Sequence, residues 1–376
     1  MISPFKIFFE DARLNDLKSR IRNTRWPDAI PGSGWQHGSD LAYIKDLTEY
    51  WLNVFDWRNT EDTFNSFTNY IGTIKGYNIH FIYVKGNSKQ TIPLIITHGW
   101  PYSVLEMLKI IPLLTSGNEM AFDLVIPSMM GYGFSQKVIE PGCNAFLMAE
   151  LWHELMKELG YNRYGVQGGD FGAGISAAIA YKYPESVIGM HLNYVPGYYD
   201  PMLEKEEILS DGEKAYLIAE EDWYMREGSY SHQQRTRPLT LAYGLNDSPV
   251  GLCAWIVEKM RAWADCKGDI ESVFTKDELL SNVTLYWLTE TIHSSARLYY
   301  ENSLIKLKPG RTSRIQVPAG FARFRFEEPF PPREFVERGF KIARWTEYPV
   351  GGHFPAMEQP ELLAKDIIEF FRQITS

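Results

Sequence analysis

Val166-Gln167-Gly168-Gly169-Asp170-Phe171-Gly172-Ala173-Gly174 decides how the rest of the chain is read. A strand is expected to begin in the preceding Tyr161-Asn162-Arg163-Tyr164-Gly165, and the following Ile175-Ser176-Ala177-Ala178-Ile179-Ala180 is small and helix-compatible. Small residues on both sides of one polar residue, between a strand and a helix, form the nucleophile-elbow pattern. The turn is tight enough that only small side chains fit at Gly168, Gly172 and Gly174, and its apex residue is pushed out above the sheet. The common apex residue is serine; here it is Asp170. The plain alternative is a glycine-rich turn with an aspartate capping a helix.

That substitution changes the chemistry. Serine attacking an acyl carbon gives an ester that water can hydrolyse, whereas serine attacking a saturated carbon would give an inert ether. A carboxylate attacking a saturated carbon gives an ester, whose carbonyl water can attack. An aspartate at an elbow therefore points to displacement at sp³ carbon, by opening an epoxide or expelling a halide.

The chain of 376 residues fits one large α/β domain with insertions. Its net charge of −9 leaves no basic surface for nucleic acid. Cys143, Cys253 and Cys266 are odd in number and unpaired in spacing, which favours reduced thiols and a cytoplasmic location. The start, Met1-Ile2-Ser3-Pro4-Phe5-Lys6, is not a signal peptide. No apolar run approaches the ~20 residues of a membrane-spanning helix. The 22 tyrosines and 11 tryptophans suit a large aromatic core, and equally a lipophilic substrate pocket.

Residues 1–70 read as an aromatic-rich helical arm. Asp11 is expected to cap a helix carrying Leu14, Leu17 and Ile21, and Ser39-Asp40 to start a second with Leu41, Ile44, Leu47, Trp51 and Val54 on one face. The segment is too small for its own core and is expected to wrap over the following domain. Residues 71–199 alternate strands and helices: strands at 79–84, 93–97, 122–127, 163–168 and 187–192, helices near 102–113 and at 145–159. That alternation predicts a mostly parallel sheet covered on both faces. Residues 200–304 are helical, for example Glu204 to Asp222, Leu252 to Trp263 and Lys276 to Thr289, and read as a lid. Strands resume in 305–376 at 314–318 and 341–346, with a last helix at 359–374.

Completing a site requires an oxyanion hole, a base with an orienting acid, and a donor for the leaving atom. The N–H groups of Phe171 and of Trp100, in His98-Gly99-Trp100-Pro101, are the expected oxyanion donors. Gly351-Gly352-His353-Phe354 follows the last strand, the usual place for the histidine, and singles out His353 from seven others. Phe326-Glu327-Glu328 follows the strand at 315–318; Glu327 is the choice for the orienting acid, although spacing alone leaves Glu328 nearly equal. An alkoxide leaving group needs a weak acid, and tyrosine hydroxyls suit. Nothing in composition selects particular lid tyrosines.

With those motifs in place, the sequence resembles a microsomal-type epoxide hydrolase over nearly its whole length. The matches are Arg25-Trp26-Pro27-Asp28 in the arm, Gln167-Gly168-Gly169-Asp170 at the elbow and Leu245-Asn246-Asp247-Ser248-Pro249-Val250-Gly251-Leu252 in the lid. Ser294-Ser295-Ala296-Arg297-Leu298-Tyr299 and Pro318-Ala319-Gly320-Phe321 also match. The resemblance implies an α/β-hydrolase fold with a helical lid and no cofactor or metal. It implies Asp170 as nucleophile, His353 as base, Glu327 as orienting acid, and Tyr299 and Tyr230 as donors to the epoxide oxygen. Tyr230 lies in Glu227-Gly228-Ser229-Tyr230, with glycine and serine in swapped order relative to the mammalian pattern. Phe171 stands where members often have tryptophan, and Tyr102 where glycine is frequent, so the pocket is expected to differ in shape. The mammalian membrane-anchoring helix is not in the chain, which points to a soluble form. The expected partner is a small lipophilic epoxide, with no nucleic acid and no membrane span, and a homodimer is compatible with the sequence. The rival readings are a haloalkane or haloacid dehalogenase, with halide-binding donors in place of the tyrosines, and a non-catalytic receptor, for which a broken triad would be usual.

Overall fold

A computed structural model of the chain describes residues 1–117, 120–195, 208–305, 307, 309–310 and 313–376. Its centre is a nine-stranded sheet: β1 (Ile2–Phe5), β2 (Asn69–Ile74), β3 (Tyr77–Val84), β4 (Gln90–Thr97), β5 (Met120–Pro127), β6 (Tyr164–Gly168), β7 (Val187–Leu192), β8 (Ile315–Phe324) and β9 (Phe340–Tyr348). The spatial order is β1-β2-β3-β5-β4-β6-β7-β8-β9. The first three strands are antiparallel to their neighbours and the remaining six are parallel. The parallel strands read as apolar runs because both of their faces are covered; every residue of β5 is buried.

Two strands, β1 and β2, are not foreseen from the sequence. β2 straddles the boundary expected at residue 70. β1 is four residues long and contains Pro4, so it carries too little pattern to be seen, yet it pairs along β2 as an edge strand, where proline is tolerated. Residues 2–5 are therefore stitched into the sheet, while the helices of the first 70 residues pack against helices Pro249–Trp263 and Lys276–Thr289. Asp11 is the first residue of helix Asp11–Arg22, not its cap; Glu10 holds that position and makes no side-chain cap bond. Asp40 does cap Leu41–Asn53, accepting the N–H groups of Ala42 and Tyr43. The helix expected near 102–113 is instead a 3₁₀ turn, Val104–Met107, and a short helix, Ile111–Thr115, with Pro112 in its first turn.

The lid comprises Asp211–Glu227, Ser229–Thr236, Pro238–Leu245, Pro249–Trp263, Lys276–Thr289 and Ile292–Ser303. Its first helix begins at a Ser210–Glu213 capping box; the expected helical start at Glu204 lies outside the described residues. Helix Lys276–Thr289 has the predicted bounds and its own capping box, Thr275–Glu278. The arm ties to the lid through Arg13 Nη2, which donates to Leu288 O at 2.7 Å, and Ser39 Oγ, which donates to Ala254 O at 2.7 Å.

Candidate active site

The elbow joins β6 to helix Asp170–Lys182. Asp170 sits at its apex with φ of +47°, in the left-handed region that a non-glycine residue enters at a cost on the order of 1–3 kcal/mol. The surrounding packing enforces this. A Cβ on Gly172 would lie 1.9 Å from Thr97 O, so only glycine lets the helix come this close to the end of β4. A Cβ on Gly99 would lie 2.4 Å from the Cβ of Asp170, which brings the turn after β4 against the aspartate.

That turn supplies a donor. Trp100 N–H donates to Asp170 Oδ1 at 2.9 Å. His98 holds the turn: its Nε2 accepts Met129 N–H at 3.1 Å and its Nδ1 lies 3.1 Å from Gly99 O, a pairing that requires the neutral Nδ1–H tautomer. Burial favours that neutral form, pushing its pKa down to about 4. Phe171 is the second residue of the elbow helix, in the first turn, whose N–H groups have no intrahelical acceptor.

The loop after β9 brings His353 over the same edge. Its Nε2 lies 3.6 Å from Asp170 Oδ2, and its Nδ1 lies 2.7 Å from Glu327 Oε2. Glu327 is 6% exposed, whereas Glu328 is exposed and faces Arg323 at 4.0 Å. The turn after β8 thus puts one of two adjacent carboxylates beside the imidazole and the other in solvent. Burial acts to lower the basicity of His353, but the Glu327 and Asp170 carboxylates outweigh it and hold the pKa well above the usual range.

Tyr230 and Tyr299 converge from two lid helices. Their ring centroids are 5.9 Å apart and both contact Trp100, Tyr230 stacked at 5.2 Å and Tyr299 edge-on at 5.8 Å. Their hydroxyls interact with each other, and burial, joined by the Asp170 charge, raises both well above the ordinary tyrosine value. Tyr299 also packs edge-on against Phe171 at 4.7 Å. All seven residues singled out in the sequence are thus gathered at the carboxyl ends of the parallel strands, where open α/β sheets bind ligands.

A cavity of about 290 Å³ opens on Asp170, His353, Glu327 and Tyr230. Its aromatic wall is Tyr194, Tyr216, Trp223, Tyr224, Trp263 and Phe326. Sequence reasoning missed Tyr194 and Trp263, which flank the imidazole edge-on at 5.8 and 5.1 Å. It also missed Glu358 and Glu106, two buried or half-buried carboxylates behind the site. Glu358 had a faint signal: it stands four residues after Phe354, the N-cap of helix Pro355–Glu358, close enough for an acid to reach back to the Phe354 N–H. Among the described residues, no group of three or more His, Cys, Asp and Glu side chains could hold a metal, and no helix is long and apolar enough to cross a membrane.

The sheet order and the strand-end residues define an α/β hydrolase. The sequence matches the family described as "Epoxide hydrolase N terminus" over residues 2–107 and "alpha/beta hydrolase fold" over residues 92–206. It is 41% identical to a Stigmatella aurantiaca protein named "Putative epoxide hydrolase", over 99% of this chain and 85% of that one. It is 36% identical to epoxide hydrolase 1 of Oryctolagus cuniculus, over 98% of this chain and 88% of that one. The structure of Aspergillus niger epoxide hydrolase superposes with a TM-score of 0.88 at 29% identity, covering 100% of this chain and 97% of that one. The chain belongs to the epoxide hydrolase family, whose reaction is the hydrolysis of an epoxide to a vicinal diol.

Proposed function

We propose that Asp170 opens the epoxide as a nucleophile and that His353 hydrolyses the resulting ester. The observation that carries this is the pair of contacts on one carboxylate, with Oδ1 on Trp100 N–H and Oδ2 towards His353. Oδ2 attacks the less hindered ring carbon, the carbon–oxygen bond breaks, and the ring oxygen takes a proton from Tyr230 or Tyr299. Both tyrosines remain protonated in the resting enzyme, since their pKa values are raised. Esterification removes the Asp170 charge, one of the influences that keep His353 protonated. His353 then gives up its proton, which balances the one lent by the tyrosine, and becomes a neutral base oriented by Glu327. Water attacks the ester carbon, passing its proton to His353 Nε2. The charge that develops on Oδ1 is held by the Trp100 and Phe171 N–H groups, as an oxyanion hole requires. Collapse expels the diol oxygen, which takes the proton from His353, and the carboxylic acid left on Asp170 then passes its own proton to His353, restoring the resting pair.

The aromatic wall and the cavity volume favour a small lipophilic epoxide. The chemistry uses no cofactor. In this reading the arm is 1–70, the core 71–199 and 305–376, and the lid 200–304, with the first lid boundary falling outside the described residues. Three free cysteines support a cytoplasmic location. Exposed Leu239 and Tyr243 on the lid offer a surface for a homodimer. Trapping the ester by mass spectrometry in His353→Gln tests the mechanism: a protein that adds no substrate mass, while the wild type makes diol, overturns it.

A further inference from the structure

Four consecutive N–H groups around His353 are all bonded, and the pattern joins the base loop to the lid. His353 N–H donates to Trp263 O at 3.0 Å, and Gly351 N–H donates to Asp265 Oδ2 at 3.1 Å. Glu358 takes the rest. Its Oε2 accepts Gly352 N–H at 2.9 Å and Asp265 N–H at 2.8 Å, and its Oε1 accepts Phe354 N–H at 2.8 Å. Trp263 ends lid helix Pro249–Trp263, so Asp265 belongs to the lid segment that follows it. The approach is close: a Cβ on Gly352 would meet Trp263 O at 2.5 Å and Asp265 N at 2.9 Å.

We infer that Glu358 is a positioning residue for the ester-hydrolysis step, holding the His353 loop to the lid so that the imidazole is aimed at the ester. The inference rests on His353 acting as the base. Glu327 fixes the ring from its Nδ1 side, but the backbone that carries the ring is fixed by Glu358 on both flanks. Charge-assisted bonds to three N–H groups are stronger than neutral ones, and among the described residues no other side chain makes more than one bond to this loop's backbone. The alkylation step uses Asp170, its oxyanion donors and the tyrosines, none of which bonds to Glu358. A loosened loop therefore affects the second half-reaction.

Glu358→Gln keeps the shape but replaces one acceptor oxygen by a donor, so at least one N–H is lost. A misplacement of about 1 Å costs on the order of 10² in rate. Rapid-quench single turnovers should show alkylation near the wild-type rate, ester decay slowed by about that factor, and kcat and KM falling together with kcat/KM unchanged. Asp265→Ala, which removes the Gly351 contact from the lid side, should slow ester decay in the same sense and covers the case in which Glu358→Gln does not fold. His353→Gln is the reference: if it traps no ester, the assignment of the base fails first. If it traps ester while both other variants clear theirs at the wild-type rate, or lose alkylation equally, Glu358 has no positioning role.

Discussion

Trp100 N–H donates to Oδ1 of Asp170, and this bond makes the two oxygens of the carboxylate inequivalent. Oδ2, on the other side, faces His353. In the proposed mechanism the oxygen already seated on an N–H is the one that becomes the carbonyl of the ester, and Oδ2 is the attacking atom.

A single turnover in heavy-oxygen water should therefore give a first diol whose new oxygen comes from the protein. Heavy oxygen should enter Asp170 at that point and reach the diol in later turnovers. A first diol already carrying solvent oxygen means that water attacks the epoxide directly.

His353→Gln should accumulate one substrate mass per chain, because alkylation does not need the base. Glu327→Gln should slow hydrolysis in the same direction, since the 2.7 Å contact to Nδ1 both orients the ring and supports its charge. Glu328→Gln should leave ester decay unchanged, its side chain being in solvent. A slow Glu328 variant beside a normal Glu327 variant reverses the assignment.

The lid tyrosines separate the two kinds of leaving group. An alkoxide needs a proton and a halide does not. Tyr299→Phe and Tyr230→Phe should each slow pre-steady-state alkylation by ~10²–10³, the usual loss for one positioned donor. Wild-type alkylation by both variants means the hydroxyls only pack. Faster halide release from a bromoalkane than opening of any epoxide would point to a different leaving group.

Much of this was legible because the chain marks it locally. β4 carries the continuous apolar run Pro93-Leu94-Ile95-Ile96, the elbow is a glycine-bracketed aspartate, and helix Lys276–Thr289 announces itself with Thr275 and Glu278. What was hidden depends on distant residues meeting. Glu327 and Glu328 are neighbours in sequence, and only the turn after β8 decides which reaches His353. Tyr194 and Trp263 are ordinary aromatics until β7 and the lid helix bring them against one imidazole. The helix expected over 102–113 does not form because the chain there first has to bring Trp100 onto Asp170; Asn282 and Tyr286 of the lid hold the carbonyls of Pro101 and Tyr102 in that course.

Removing residues 1–70 should give insoluble protein. Leu17, Ile21, Leu47, Trp51, Trp57 and Phe64 are buried in the same core as the lid and sheet. Each is worth roughly 1.5–3 kcal/mol of burial, so together they rival the roughly 5–15 kcal/mol net stability of a whole domain. β2 would also lose its first two residues, Asn69 and Tyr70, and its edge partner β1. A soluble, active 71–376 chain shows the arm to be dispensable.

Glu106 gives a pH dependence with a defined sign. It is 7% exposed, in the 3₁₀ turn after the Trp100 loop. Burial pushes its pKa up from 4.5 to about 8; Asp170 and Glu358 push the same way, while His353 and the Gly99 backbone oppose. The folded protein thus holds this proton where the unfolded chain has released it. Its stabilising contribution is fully present below about pH 4.5 and is lost as pH rises through about 8. Glutamine is neutral throughout, so Glu106→Gln should gain on the wild type across that window. The gain is at most a few kcal/mol, since each tenfold change in proton affinity is worth about 1.4 kcal/mol. Denaturant midpoints of both proteins at pH 5 and pH 8.5 measure this directly. A difference that stays constant between the two pH values means that Glu106 is already ionised in the folded protein at neutral pH, and that the charge behind Asp170 is larger than the buried acid implies.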